Sequence, residues 1–109
     1  MYIRTKDGVY EVEWNSCVEM WYDVKTYKVF ILDSMISKVD YKLSENLEEL
    51  CDKFVYCQNG FYEMYSKLDF AHYDKEYIKN GGTIKGAIWT SKGLIYVAKI
   101  DNEGKLVLI

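Results

Sequence analysis

Apolar and polar residues alternate along several parts of this chain, which is typical of half-buried β-strands. From Val9 to Trp14 the alternation places Tyr10, Val12 and Trp14 on a buried face, with Glu11 and Glu13 in water. Asp7-Gly8 just before this run has the composition of a tight turn. Residues 3–10 are therefore predicted to form a β-hairpin.

The C-terminal third predicts a three-stranded meander with strands at residues 84–90, 94–100 and 105–109. Gly93 suits the left-handed position of a three-residue loop between the first two strands. Residues 95–100 carry one charge, Lys99, so the middle strand is predicted to be covered on both faces. The spacing Ile-x-Thr-x-x-Gly occurs at residues 3–8 and 88–93, which predicts the same turn twice.

Shorter strands are predicted at residues 25–32, 36–43 and 61–67 from their Val, Ile, Phe and Tyr content or their alternation. Residues 17–24 show no clean period, so the pattern assigns no face to the aromatic pair within them.

A different periodicity predicts a helix over residues 44–57. Apolar side chains recur at 47, 50, 51, 54 and 55, with Ser44 as N-cap, a Glu49–Lys53 pair and Asn59-Gly60 as the stop. A weaker helix is predicted over 68–79, ended by Asn80-Gly81-Gly82. The predicted fold is α+β: an antiparallel sheet of about five or six strands, with a C-terminal three-stranded meander, packed by these helices.

Composition narrows the class of protein. The 109 residues are 50% hydrophobic and 28% charged, which indicates one globular domain spanning 1–109. No apolar run approaches the length of a membrane span, and the N-terminus lacks the apolar core of a signal peptide, so we expect a cytoplasmic protein. Three cysteines without a CxxC motif, and a single histidine, argue against a disulfide framework or a metal site. We expect no cofactor.

The charge distribution argues against direct nucleic-acid binding. The net charge is −3, and residues 1–60 carry seven basic and eleven acidic side chains. Residues 61–109 carry seven basic and six acidic ones, so neither part is a basic patch. Eleven tyrosines suit a protein interface, although the codon usage of a low-GC genome also explains them.

Three sequence segments carry a resemblance. IRTKDG at 3–8, LCDKFV at 50–55 and GAIWTSKGLIYVAK at 86–99 are similar to a group of small proteins encoded by phages, prophages and mobile elements of low-GC Gram-positive bacteria. The resemblance implies a mobile-element setting and a bacterial host cell. It implies no activity and no site residues.

Candidate catalytic groups are few. His72 is the only histidine, and a small enzyme would need to place it beside Cys17, Cys51, Cys57 or acidic residues. Cys51 falls on the apolar stripe and is interpreted as inert core. The acidic residues are interpreted as a solvated helix face rather than a cation site or an acid–base pair: Glu45, Glu48, Glu49 and Asp52. The turns at 80–83 and 90–93 do not complete a phosphate-binding loop.

The predicted function is that of a non-enzymatic phage or mobile-element accessory protein that binds a host or phage protein. Inhibition of a host defence or nucleic-acid enzyme is one specific form. The candidate partner-binding residues are Trp21, Tyr22 and Trp89, unless all three are buried in the core. The alternatives are a nucleotide-like small-molecule pocket between helix and sheet, and the small enzyme described above. The sequence leaves the oligomeric state open.

Overall fold

The computed structural model of the chain describes residues 1–32, 41–58, 60–65 and 75–109. The described residues are mostly β and form two antiparallel sheets. The predicted α+β class is wrong, because the described helical segments are only four and five residues long. Such segments are too short to form a layer over a sheet.

The first sheet contains β1 (Tyr2–Arg4), β2 (Val9–Asn15), β3 (Met20–Asp23), β4 (Val29–Leu32) and β5 (Lys42–Ser44). Its spatial order is β4-β3-β2-β1-β5. The predicted hairpin at residues 3–10 is confirmed, with Ile3 opposite Tyr10. Val12 is fully buried as predicted, but Trp14 is 38% exposed, so its predicted burial is wrong.

The second sheet contains β6 (Lys53–Gln58), β7 (Phe61–Tyr65), β8 (Thr83–Thr90), β9 (Gly93–Ile100) and β10 (Leu106–Leu108). Its spatial order is β10-β9-β8-β6-β7, which confirms the C-terminal meander and the strand predicted near residues 61–67. Thr90 pairs directly with Gly93, so the loop holds two residues rather than three. The predicted cover over both faces of β9 is wrong, because Tyr96 and Lys99 are exposed.

The helix predicted over residues 44–57 is a 3₁₀ helix, Leu47–Leu50, followed by strand β6. Leu47 and Leu50 are buried from the 3₁₀ turn, whereas Phe54 and Val55 are buried on opposite faces of β6. A turn followed by an interior strand thus reproduces the apolar spacing of an amphipathic helix. Periodicity cannot separate the two arrangements, because both faces of an interior strand accept apolar residues.

The predicted details of that helix change with it. The cap is Asn46 rather than Ser44, and its side chain accepts a hydrogen bond from the Glu48 amide at 3.3 Å. Glu49 accepts a hydrogen bond from the Ser44 hydroxyl at 2.8 Å. Gly60, with φ of +83°, lies in the turn between β6 and β7 instead of ending a helix.

The remaining predictions fall partly outside the described residues. The described part of the second predicted helix is α1 (Lys75–Lys79), and Gly81 follows its end with φ of +91°. Residues 68–74 of that prediction, including Phe70 and Tyr73, and residues 36–40 of the predicted strand at 36–43, lie outside. The strand predicted at 25–32 begins only at Val29, and the unassigned region 17–24 contains β3.

The main core lies between the two sheets and the 3₁₀ helix. Its buried members are Val9, Leu47, Leu50, Cys51, Phe54, Ile84, Ile88, Val97 and Ala98. A smaller cluster on the other face of the first sheet centres on Ile3 and Val12, both fully buried. The second sheet therefore presents one face to the main core, and its other face points away from that core.

Candidate binding surface

The outward face of the second sheet is defined by its strand register. Phe54, Gly86 and Ala98 are directly opposite one another and buried, which fixes the inward face. Residues opposite one another in an antiparallel ladder share a face, so the neighbouring rows of the ladder point outward. A register shift between Gly86 and Ala87 places Tyr96 opposite Ala87, on the same face as Lys99. The outward positions form four rows: Tyr62–Cys57–Thr83, Met64–Val55–Lys85–Lys99–Val107, Lys53–Ala87–Tyr96 and Trp89–Leu94.

Large apolar side chains on these rows are open to solvent. The exposed fractions are 69% for Tyr62, 49% for Met64, 53% for Trp89 and 47% for Tyr96. We call these four residues, together with Lys53, Lys85 and Lys99, the lysine–aromatic face. Several large apolar side chains on one sheet face are more than the scattered exposure that is normal for a folded protein.

Two of the lysines lie over aromatic rings of the same face. The Nζ atom of Lys53 is 5.7 Å from the Trp89 ring centroid, and that of Lys85 is 5.4 Å from the Tyr96 ring centroid. Both distances are within the range of cation–π attraction. These contacts give the two rings preferred positions while leaving about half of each side chain exposed.

The outward rows contain no carboxylate among the described residues. Lys85 and Lys99 are directly opposite each other on β8 and β9. Like charges at directly opposed positions disfavour a strand pair by a fraction of a kcal/mol. In a chain of net charge −3, this face is therefore a local region of positive charge.

Trp89 is held at its backbone by a charged network. Its amide donates to Asp52 Oδ2 at 2.8 Å, and the Asp52 amide donates to the Ala87 carbonyl at 2.8 Å. Arg4 of the first sheet binds the Asp52 carboxylate through both terminal nitrogens, with Nη2 at 2.7 Å from Oδ2. The position of Trp89 thus depends on the contact between the two sheets.

The three predicted binding residues do not form one site. Trp89 is exposed on the second sheet, while Trp21 and Tyr22 are adjacent on β3 of the first sheet. Trp21 packs against the smaller cluster, with its Nε1 buried without a hydrogen-bond partner. It is therefore chiefly a packing residue.

Tyr22 lies on the opposite face of β3 from Trp21. It donates to Glu13 Oε2 at 2.6 Å and stacks with Tyr27, whose ring centroid is 6.5 Å away. The hydrogen bond to the Glu13 carboxylate, with smaller effects from burial and charge, raises the pKa of Tyr22 above its usual value. Tyr22 is thus engaged with its own sheet.

Sequence reasoning missed most of the lysine–aromatic face. The available signal was alternation in β8, where exposed Lys85 and Trp89 alternate with buried Ile84, Gly86 and Ile88. The alternation of Trp89 with Ile88 indicated that one of them faces outward. Tyr62 and Met64 of β7 lie far from Trp89 and Tyr96 in sequence, and only the register brings the two pairs onto one face.

The candidate catalytic groups are not assembled in the described part of the chain. Cys51 is fully buried, with Sγ 3.6 Å from the Leu47 carbonyl oxygen. His72 lies outside the described residues. Glu48 accepts from the Asn46 side chain, and Asp52 binds Arg4, so these acids serve separate contacts. Among the described residues, no group of three or more His, Cys, Asp or Glu is placed to hold a metal ion.

A shallow groove of about 280 Å³ lies between the 3₁₀ helix and strands β9 and β10. Tyr2, Leu47 and Leu106 contribute apolar surface, and Glu45 and Glu48 lie on its rim with Lys105. Two carboxylates against one amine give the rim a negative charge. That charge is unfavourable for the phosphates of a nucleotide.

Comparison with known proteins gives no match: no family model, no curated protein and no solved structure matches the chain. Within the ranges that the structure describes, no helix has the length and hydrophobicity required to cross a bilayer.

Proposed function

We propose that the chain is a non-enzymatic accessory protein that binds another protein through the lysine–aromatic face. The observation that carries the proposal is the exposure of Tyr62, Met64, Trp89 and Tyr96 on one sheet face. Trp, Tyr and Met are enriched in the centres of protein interfaces, and Trp and Tyr dominate the binding energy there.

The size of the face suits this role. Rows on one face of a strand repeat about every 7 Å, and neighbouring strands lie about 4.8 Å apart. The four rows hold 13 outward positions, and at about 7 by 4.8 Å for each position they cover roughly 400 Å². A standard interface buries about 800 Å² on each partner, so the face is large enough to form the centre of one.

The resemblance to phage and mobile-element proteins supplies the proposed setting, in which the partner is a host or phage protein. Inhibition of a host defence or nucleic-acid enzyme is the specific form that such a setting favours.

The test is affinity capture from the lysate of a phage-infected low-GC Gram-positive host, using three tagged baits. We expect one stoichiometric partner with the native protein and its loss with Trp89→Ala/Tyr96→Ala. The control bait is Tyr27→Ala, because Tyr27 is 79% exposed but lies in the connection between β3 and β4, away from the second sheet. Retention of the partner by Trp89→Ala/Tyr96→Ala would disprove binding through this face.

A further inference from the structure

We infer that the surface bound by the lysine–aromatic face is an acidic protein surface, with carboxylates placed among apolar side chains. This inference rests on the proposed function and adds the chemistry of the partner. It depends on the distribution of charge over the outward rows of the second sheet.

The first observation is the segregation of charge. Three lysines occupy the two central rows, and no described outward position on any strand of this sheet is acidic. Between described residues, the ion pair within 4.0 Å joins Arg4 to Asp52, and none of the three lysines forms such a pair with a described carboxylate. The chain as a whole has a net charge of −3, so the positive charge of this face contrasts with the rest of the protein.

The second observation is the direct opposition of Lys85 and Lys99. Two ammonium groups on neighbouring strands repel each other in the free protein. A partner carboxylate placed between them would convert this repulsion into attraction, and desolvation by the surrounding aromatic rings would strengthen it. The pair is thus unfavourable in the free protein and favourable in a complex with an acidic partner.

The third observation concerns the alternative polyanion. Aromatic rings with lysines also suit single-stranded nucleic acid, which stacks its bases on such rings. Binding of that kind draws most of its affinity from neutralising many phosphates along a strand. Three lysines on a protein of net charge −3 provide little of this, so a short acidic protein surface fits better.

The experiment measures fluorescence anisotropy of three labelled probes. One probe is a synthetic peptide of glutamates interspersed with Leu and Phe, the second is the same peptide with Gln replacing Glu, and the third is single-stranded oligothymidylate. We expect the native protein to bind the Glu peptide best, with affinity that falls as salt is raised.

Two charge-reversal variants with the same net charge locate the interaction. Lys85→Glu/Lys99→Glu keeps the like-charge opposition and loses the exposed Lys85–Tyr96 contact, so it should remain folded with a small loss of stability. We expect it to weaken Glu-peptide binding at least about tenfold. Lys25→Glu/Lys28→Glu changes two exposed lysines in the connection between β3 and β4 and should bind nearly as well as the native protein. Equal weakening by both variants would overturn the inference, because it would show a general charge effect.

Other outcomes also decide the question. Preference for oligothymidylate would assign the face to nucleic acid, and equal binding of the Gln peptide would show that carboxylates are unnecessary. Self-association of the native chain that Lys85→Glu/Lys99→Glu abolishes would make a second copy the occupant. Failure of the native protein to bind any probe would also overturn the inference.

If the captured partner is lost with Trp89→Ala/Tyr96→Ala but retained by Lys85→Glu/Lys99→Glu, the proposed function stands and the acidic partner does not.

Discussion

At the scale of single residues, one turn geometry is used at two places in the chain. The Thr5 hydroxyl donates to the Gly8 carbonyl and accepts from the Asp7 amide, and the Thr90 hydroxyl makes the same bonds with Gly93 and Lys92. The two glycines nevertheless have different roles. Gly93 has φ of +103°, whereas a Cβ at Gly8 would lie 3.2 Å from the Tyr10 hydroxyl oxygen.

Replacement of Gly93 isolates the cost of its backbone conformation. A Cβ at Gly93 would meet no atom within 4 Å, so steric contact with the rest of the fold does not contribute. We expect Gly93→Val to lower the free energy of unfolding by about 1–2 kcal/mol more than Lys92→Val, as measured by urea denaturation. Equal losses would show that Gly93 does not need a positive φ.

The Tyr22–Glu13 hydrogen bond predicts a pH effect. The folded pKa of Tyr22 lies above its unfolded value near 10. The stabilisation from the Tyr22–Glu13 hydrogen bond is therefore fully present below pH 10 and is lost as the pH rises through the folded pKa. We expect Glu13→Gln to lower the pKa of Tyr22, as followed by tyrosinate absorbance. Glu11→Gln, at an exposed position on the same face of β2, should leave the titration unchanged.

At the scale of elements, the 3₁₀ helix and β8 approach closely where Gly86 has no side chain. A Cβ at Gly86 would lie 2.5 Å from Cys51 Sγ and 3.4 Å from Ala98 Cβ. The strand therefore passes beneath the end of the 3₁₀ helix only because residue 86 is glycine.

A double-mutant cycle tests that contact. We expect Gly86→Ala to cost about 1–3 kcal/mol of unfolding free energy through overpacking. In the Cys51→Ala background the same change should cost about 1 kcal/mol less, because the sulfur is gone. Strict additivity in chemical denaturation would mean that Cys51 does not limit space at residue 86.

At the scale of the whole molecule, the two sheets share a narrow contact. The radius of gyration is 15.4 Å, whereas a compact chain of this length has about 13 Å, and the long dimension is 47 Å. Val9 and Tyr2 of the first sheet reach the main core, and Arg4 crosses to Asp52 and to the Leu50 carbonyl at 3.1 Å. One arginine thus binds both ends of the segment that leads into β6.

Removal of that arginine charge should weaken the junction between the sheets. We expect Arg4→Met, which keeps an apolar stem, to lower the free energy of unfolding by about 2 kcal/mol, because it leaves the partly buried Asp52 without its charged partner. Lys6→Met in the exposed turn should change it by less than about 0.5 kcal/mol. Thermal and urea unfolding of both variants measure the difference, and a similar small loss in both would contradict the role of Arg4.

The sequence by itself determined the elements that rest on local chemistry. The hairpin at residues 3–10, the C-terminal meander and the positive φ at Gly93 follow from alternation and turn residues, which act over a few positions. It also indicated that either Ile88 or Trp89 faces outward. These features need no knowledge of what lies across the sheet.

Only the tertiary structure decided the rest. Phe54 and Val55 belong to a strand because β7 and β8 pair with β6 on either side. The spacing of apolar residues within 44–57 contains no information about these pairing strands. The lysine–aromatic face likewise exists only because the register aligns β6, β7, β8 and β9. Pairing between distant segments is set by the packing of the whole chain, so neither the fold class nor the candidate surface is contained in any single stretch of residues.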